Sequence, residues 1–241
     1  MNSRAVIKRA LSVLPQSWYV HINAYVASRD IANGKRWEPE IERVREIVRD
    51  GETVIDVGAN HGLYAFHLSK MVGASGRVHC FEPIPPNYFV LRHTVESLRL
   101  TNVTTHNVAC GESRGKLSFG VPIDKSVPQW GWAHQGSAGH QFSCEVVPLD
   151  EVVAGRASFI KCDVEGAELF VFRGAKRILR ESTPAVLVES VVDFAQRFNY
   201  HPQDFFNECF RPLGYTFFRS DGRRFHRTGG FTESGNYLLI H

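Results

Sequence analysis

Residues 54–62 read Val-Ile-Asp-Val-Gly-Ala-Asn-His-Gly, and this stretch decides the fold. A short apolar run typical of a buried strand leads into a turn with two glycines and then into a segment with helical spacing. Gly58 has no Cβ, so a ligand can approach the backbone, and Gly62 has the same effect near the helix start. The free N–H groups of a helix start favour electronegative ligand atoms. The stretch therefore predicts a strand–turn–helix unit that binds a ligand at its turn.

The chain beyond this unit alternates strand-like and helix-like segments. Strands are predicted at 53–57, 77–81, 103–108, 158–162 and 185–189, and helices at 63–72, 87–98 and 167–180. This alternation is typical of an α/β fold with a mostly parallel sheet and helices on both faces. The segments 214–218 and 236–240 have too little chain between them for a helical crossover, so they predict an antiparallel hairpin. Extra strands are predicted at 117–121 and 142–148.

Length and composition favour one large domain with an appendage. The chain has 241 residues, of which 43% are hydrophobic and 22% charged, as in a globular protein. We predict a helical N-terminal extension at 1–50 and the sheet domain at 51–241. The extension is basic up to residue 29, with Arg4, Lys8, Arg9 and Arg29 and no acid. Its helices can contact an anionic membrane weakly, although packing as a lid on the domain is the favoured interpretation.

Charge and cysteine content indicate the compartment and exclude some partners. A net charge of +3 is too small to favour a nucleic-acid binder. The five cysteines are scattered without a Cys-x-x-Cys pair, which predicts buried free thiols, a reducing compartment and a cytoplasmic location. No apolar run approaches the ~18 residues of a membrane span, and the first residues lack the pattern of a secretory signal.

The cofactor is predicted from the turn and from Glu82, which ends the second strand twenty residues after Gly62. A carboxylate at that point can accept hydrogen bonds from both hydroxyls of a ribose. The turn has the pattern Gly58-x-Asn60-x-Gly62 instead of the GxGxxG of a dinucleotide site, and Asp56 precedes it, where it can bind an ammonium group. S-adenosylmethionine has an ammonium, a ribose diol and no phosphate. The alternative is that both glycines merely shape a turn.

Candidate catalytic residues follow the fourth main strand in the run Asp163-Val164-Glu165-Gly166-Ala167-Glu168. Ligands of such sheets bind beyond the carboxyl ends of the strands, so Asp163 is expected beside the same cleft as Gly58. Asp163, Glu165 and Glu168 are candidates for the base that takes a hydroxyl proton. Acids at a helix start also stabilise the helix dipole by about 0.3–1 kcal/mol without any catalytic role. Glu189 with Asp163 is too small a ligand set to predict a metal.

Several stretches resemble the FkbM family of S-adenosylmethionine-dependent methyltransferases. They are Asp56–Tyr64, Phe81–Asn87, Asn107–Ala109, Val147–Val152, Ile160–Glu168, Gly174–Ala175 and Pro184–Glu189. The resemblance implies the Rossmann-like class I fold with a seven-stranded sheet. It also implies that Tyr64 belongs to the cofactor site, that Asn107 and Val108 lie near the adenine, and that a sugar, glycolipid or related natural product is O-methylated.

The functional hypothesis is therefore an O-methyltransferase that uses S-adenosylmethionine and a small-molecule or glycan acceptor. The segment 123–141, with Trp130, Trp132, His134 and His140, has aromatic faces that suit a sugar ring, or it is an ordinary surface loop. Two other functions stay open at this point: a nicotinamide-dependent reductase on the same sheet, and a cofactor-binding module without catalysis.

Overall fold

The computed structural model describes residues 16–121, 123–124, 127–128, 134–135 and 140–241. The strands are β1 (Thr53–Val57), β2 (Arg77–Phe81), β3 (Val103–His106), β4 (Ala109–Cys110), β5 (Gly115–Val121), β6 (Ile123–Asp124), β7 (Val127–Pro128), β8 (His134–Gln135), β9 (His140–Val147), β10 (Phe159–Cys162), β11 (Ala185–Ser190), β12 (Thr216–Ser220), β13 (Phe225–Thr228) and β14 (Gly235–Ile240).

The helices are α1 (Gln16–Ala32), α2 (Glu40–Ile47), α3 (Leu63–Val72), α4 (Pro85–Ser97), α5 (Leu149–Val152), α6 (Glu168–Arg173), α7 (Lys176–Ser182), α8 (Val192–Gln196) and α9 (Pro202–Phe205). A π-helical turn (Phe206–Phe210) and a 3₁₀ turn (Arg211–Leu213) follow α9. No helix among these described residues is long and apolar enough to cross a bilayer.

The main sheet has the strand order β13-β12-β14-β11-β10-β1-β2-β3. The strands from β11 to β3 in this order pair in parallel, and β14, β12 and β13 pair antiparallel. The predicted α/β class is therefore confirmed, and β12 and β14 are antiparallel neighbours as expected. The carboxyl ends of β1, β2, β10 and β11 lie along one edge, which is where an open parallel sheet binds its ligands.

The sheet has one strand more than the seven predicted, because β13 forms in the segment expected to be a turn. Asp221 closes a tight turn before it: its Oδ1 accepts hydrogen bonds from the backbone N–H of Arg223 (2.8 Å) and Arg224 (2.7 Å). The chain then returns along β12, and Phe225 packs against the core. A short polar edge strand of this kind carries little hydrophobic pattern, so its sequence resembled a loop.

The helix predicted at 167–180 is two helices, α6 and α7, which are separated at Gly174. A Cβ on Gly174 would lie 2.0 Å from the carbonyl oxygen of Gly111, so the chain passes too close to its neighbour for any other residue. Asp150 then supports the second helix, because its carboxylate accepts from the N–H groups of Arg177 (2.7 Å) and Ile178 (3.0 Å). The start of α7 is thus satisfied by a distant side chain.

Two large apolar clusters cover the two faces of the sheet. Alternate residues of β1 divide between them: Ile55 and Val57 face one cluster and Val54 the other. Asp56 therefore points to the same face as Val54, toward α3. A second sheet has the order β4-β9-β5-β8 and contains both predicted extra strands. All five cysteines are free, and four of them are buried, as predicted.

The N-terminal helices of the described chain pack on the sheet domain. Ala24 and Ala27 of α1 contact Val90 of α4, and Ile31 contacts Phe66 of α3. Arg4, Lys8 and Arg9 lie outside the described residues, as do Trp130 and Trp132, so the predictions made for them concern residues that the structure does not describe.

Candidate active site

The first turn holds Gly58 against the loop that follows β10. Gly58 has a φ of +82°, and a Cβ there would lie 1.8 Å from the carbonyl oxygen of Asp163. The N–H groups of Gly58 and Ala59 both donate to the carbonyl of Phe81, at 2.9 and 3.0 Å. The sequence predicts that Gly58 lets a ligand approach the backbone. In the structure, the space that a Cβ would take is filled by the protein's own backbone at Asp163.

Asn60 and Gly62 complete the turn in left-handed backbone conformations, with φ of +48° and +90°. A Cβ on Gly62 would lie 3.1 Å from Leu91 and 3.3 Å from Thr94, so this glycine lets α3 pack closely on α4. Asn60 is exposed at the mouth of the turn, where its side chain is available to a ligand.

Glu82 joins this turn to the end of β2. Its Oε2 accepts from the N–H of Asn60 (2.9 Å) and its Oε1 from the N–H of Ile84 (2.9 Å). The residue is only 4% exposed, and burial raises the pKa of its carboxyl to about 7. The Asn87 side chain donates a third hydrogen bond to this carboxylate, which has about four acceptor sites. Glu82 can therefore still accept a ribose hydroxyl, while it also determines the shape of the turn.

Asn107 and Val108 follow the end of β3 on the same edge of the sheet. The Asn107 amide donates to the carbonyl oxygens of Glu82 (2.8 Å) and Pro83 (3.2 Å). Val108 is half-buried and packs against the core. The structure therefore brings both residues to the edge that Glu82 occupies.

A buried lysine lies between two acids at the ends of β1 and β10. Lys161 pairs with Asp56 in the register of these strands, and its Nζ lies 2.8 Å from Asp163 Oδ2. Asp56 is 1% exposed, and burial raises its pKa to about 7. Its Oδ2 has no hydrogen-bond partner among the described residues. Asp56 is therefore buried more deeply than expected for direct contact with an ammonium. Its position in β1 places the side chain on the face of the sheet that holds Lys161 and α3.

Asp163 also contacts Glu189, the residue before the last of β11. The two carboxyls share a hydrogen bond, and burial together with the Asp163 charge raises the pKa of Glu189 to about 8. The Lys161 ammonium and the Glu189 hydrogen bond hold the pKa of Asp163 below its usual value, against the effect of burial. At neutral pH Glu189 is therefore the proton donor of the pair and Asp163 the charged acceptor. Sequence reasoning considered Glu189 only as a metal ligand; its position at the end of the fifth strand was the available signal.

Glu165 lies in the loop after β10 with a φ of +55°, a left-handed conformation that is uncommon for a residue with a side chain. Such backbone strain is concentrated at functional sites. The side chain is half-buried, and burial with the nearby charge of Asp163 raises its pKa to about 7. The Glu165 carboxyl thus gains and loses its proton near neutral pH.

Glu168, the third candidate base, is buried and held by donors of the protein itself. It is 3% exposed; its Oε1 accepts from the N–H of Gly166 (3.0 Å) and its Oε2 from the hydroxyl of Tyr200 (2.9 Å). The carbonyl oxygen of Gly166 lies 2.8 Å from the same hydroxyl, so the single Tyr200 proton is shared between the two acceptors. Protein donors thus occupy a carboxylate with almost no access to a substrate, which favours a structural role for Glu168 over the predicted role of a base.

Replacing Tyr200 by phenylalanine is expected to lower the free energy of unfolding by about 1–3 kcal/mol, since two buried acceptors lose their donor. Urea denaturation measures the change. Tyr25→Phe is the matched control, because Tyr25 is exposed. Equal unfolding free energies for both variants would show that the Glu168 contact does not hold the loop.

Residues of the segment between α1 and α2 reach the same site, and the sequence carried no motif for them. Arg36 Nη1 lies 2.9 Å from His61 Nδ1 in the first turn. The Tyr64 hydroxyl donates to the carboxylate of Glu38, and the Tyr64 ring lies 5.1 Å from Lys161 Nζ. Tyr64, which the resemblance assigned to the cofactor site, is thus buried next to the acidic cluster.

The electrostatics of the site fit a positively charged ligand. Four acids, Glu38, Asp56, Asp163 and Glu189, interact with one buried cation, Lys161. S-adenosylmethionine carries a sulfonium and an ammonium, and Asp56 Oδ2 still has acceptor capacity. The residues present therefore fit this cofactor.

Comparison with known proteins supports the same fold and cofactor. Residues 56–215 match the methyltransferase FkbM domain, whereas no curated protein matches the chain significantly. A methyltransferase FkbM from Methylobacillus flagellatus is 20% identical with a TM-score of 0.51, over 84% of this chain and 50% of that one, so this chain spans half of its length.

Two other structures support the fold. A Clostridium thermocellum protein named as an rRNA methylase is 11% identical over 83% of this chain and 90% of its own, with a TM-score of 0.53. A Streptococcus mutans protein described as a methyltransferase, solved with S-adenosylhomocysteine (SAH), is 10% identical over 85% and 98%, with a TM-score of 0.52.

Proposed function

Because this chain belongs to the FkbM family of S-adenosylmethionine-dependent methyltransferases, we propose that it methylates a hydroxyl oxygen of a sugar, glycolipid or related natural product. The observation that carries the proposal is the group of carboxyls, Asp163, Glu165 and Glu189, at the carboxyl ends of β10 and β11. Methyl transfer to an alcohol needs a base for the hydroxyl proton. Membership of this family argues against the alternative function of a nicotinamide-dependent reductase.

The residues around the first turn bind and orient the cofactor in this proposal. Glu82 accepts the ribose hydroxyls, and Asn107 and Val108 flank the adenine at the end of β3. The exposed Asn60 and the turn from Gly58 to Gly62 border the cofactor on the side of α3. S-adenosylmethionine, when bound, supplies a methyl group on a sulfonium that an oxygen nucleophile can attack in line.

Glu165 is the base in this proposal. A general base works best when its pKa is near the working pH, and the pKa of Glu165 is about 7. Asp163 is less suitable, since Lys161 holds its pKa low and weakens it as a proton acceptor. Asp163 instead keeps the lysine and Glu189 in place beside the reacting groups.

Calorimetric titration with SAH tests the cofactor assignment. We expect Glu82→Gln to weaken SAH binding about 10- to 100-fold, because one acceptor of the ribose is lost and an amide N–H₂ replaces it. Glu96→Gln on α4 is the control, since the Glu96 carboxylate is exposed and pairs with Arg92 of the same helix. A wild-type protein that does not bind SAH would refute the assignment.

An acceptor panel separates the enzyme from the remaining alternative, a cofactor-binding module without catalysis. Labelled methyl transfer to a sugar or other small hydroxyl compound supports the enzyme; SAH binding without transfer to any acceptor supports the module. We propose a small-molecule or glycan acceptor and no nucleic acid, in keeping with the net charge of +3. A cytoplasmic location and a weak contact of the basic N-terminus with membranes are also proposals, which rest on the sequence.

A further inference from the structure

The segment from Arg36 to Glu38 is held firmly against α3 and the first turn. Trp37 packs edge-on against His67, with ring centroids 5.3 Å apart, and Arg45 of α2 lies over the Trp37 ring at 6.0 Å. On either side of Trp37, Arg36 contacts His61 and Glu38 accepts from Tyr64. Two side chains of opposite charge are thereby held at the same site by four separate contacts of the segment.

Both charges retain capacity for a ligand. Burial and the Arg36 guanidinium lower the pKa of His61 to about 4, so the neutral ring accepts one hydrogen bond at Nδ1. A guanidinium has five N–H donors, and only one is used in this contact. A carboxylate has about four acceptor sites, so Glu38 can accept more than the Tyr64 hydroxyl. The half-buried position of both residues strengthens such contacts relative to those at a free surface.

The order of strands indicates which part of the cofactor lies here. Glu82 follows β2 directly, and the residues assigned to the adenine follow β3. The other end of the cofactor must then extend toward β1 and β10, which lie on the opposite side of β2. That is where Glu38 interacts with Asp56 and Lys161. The amino-acid end of S-adenosylmethionine carries one ammonium and one carboxylate, which matches one acid and one guanidinium.

We propose that Arg36 binds the carboxylate and Glu38 the ammonium of the amino-acid end of S-adenosylmethionine. The inference rests on the proposed function and deepens it. The segment before α2 is thus part of the cofactor site, and Glu38 provides the contact that sequence reasoning had assigned to Asp56.

Titration with three ligands tests the two assignments separately. Arg36→Gln and Glu38→Gln should each weaken SAH binding about 10- to 100-fold, while 5′-methylthioadenosine, which lacks the amino-acid end, keeps its wild-type affinity. With decarboxylated SAH the effect of Arg36→Gln should disappear and that of Glu38→Gln should persist. Arg43→Gln and Glu46→Gln are matched controls, because these residues form an exposed pair with each other on α2.

The outcomes distinguish this inference from the proposed function. SAH binding that both variants leave unchanged overturns the inference alone. Equal weakening of SAH and 5′-methylthioadenosine also overturns it, because the residues then act through the shape of the turn. Arg36→Lys, which keeps the charge, should retain more SAH affinity than Arg36→Gln; equal losses would contradict a charge contact. A wild-type protein that binds none of the three ligands refutes the cofactor assignment itself.

Discussion

Replacing Glu165 by glutamine is expected to lower kcat for methyl transfer by about 10²–10⁴-fold, the contribution typical of a general base. Glutamine keeps the size and hydrogen-bonding capacity of the side chain but cannot take a proton. SAH affinity should stay within about twofold, since the base acts on the acceptor and not on the cofactor. The measurement is labelled methyl transfer to an acceptor found in the panel, with SAH titration alongside.

The pH profile separates a base from a residue that only shapes the loop. Because the pKa of Glu165 is about 7, its active, ionised form increases as the pH rises through 7. Wild-type kcat should therefore rise over that range, and the residual activity of Glu165→Gln should lack this step. Glu181→Gln, an exposed change on α7, should behave like the wild type. Full turnover by Glu165→Gln would exclude it as the base.

Replacing Lys161 by methionine is expected to lower the free energy of unfolding by about 3–5 kcal/mol at pH 8, the cost of leaving a buried charge without its partner. Lys161 is 4% exposed and is the buried cation that Asp56 and Asp163 share. Methionine fills a similar volume, so the loss reflects charge more than packing. Guanidinium denaturation measures it, with the exposed Lys176→Met as control.

The loss should be smaller at pH 5 than at pH 8. In the wild type, Lys161 holds the folded-state pKa of Asp163 below its unfolded value. This contributes stability above the unfolded pKa, and that stability is lost only as the pH falls through the folded pKa. Without the lysine, burial raises the folded pKa instead, so the folded variant takes up protons at pH 5 and avoids the buried charges. A loss that is equal at both pH values would contradict this account.

Local pattern was enough to predict the part of the fold that carries the site. The spacing of apolar residues predicted β1, α3 and β2 at the residues where the structure has them, because each depends on neighbours in sequence. Gly58 and Glu82 were predicted as site residues for the same reason, and the structure places both at the first turn. What failed depends on distant contacts. The close approach of Gly174 to Gly111 divides a helix that periodicity alone makes continuous.

The roles of individual acids were harder to predict than their positions. Glu168 and Glu165 are three residues apart and look equivalent in sequence, yet Tyr200, from a segment beyond α8, occupies Glu168 and leaves Glu165 available. The environment of Asp56 likewise depends on Lys161, its partner in the neighbouring strand, which is more than a hundred residues away in sequence. Arg36 and Glu38 had no recognisable motif, since they reach the first turn through tertiary contacts of their segment with His61, Tyr64 and His67.

The position of β14 affects how the protein is made. The five parallel strands of the main sheet, β1, β2, β3, β10 and β11, can assemble in the order in which they are synthesised. β12 and β13 cannot join them, because β14 lies between β11 and β12 and follows both in the chain. β12 and β13 can pair with each other as a hairpin, but the other edge of β12 stays unpaired until β14 is available, and unpaired strand edges are prone to aggregate in that period. Chaperone binding is most useful to this protein in that interval.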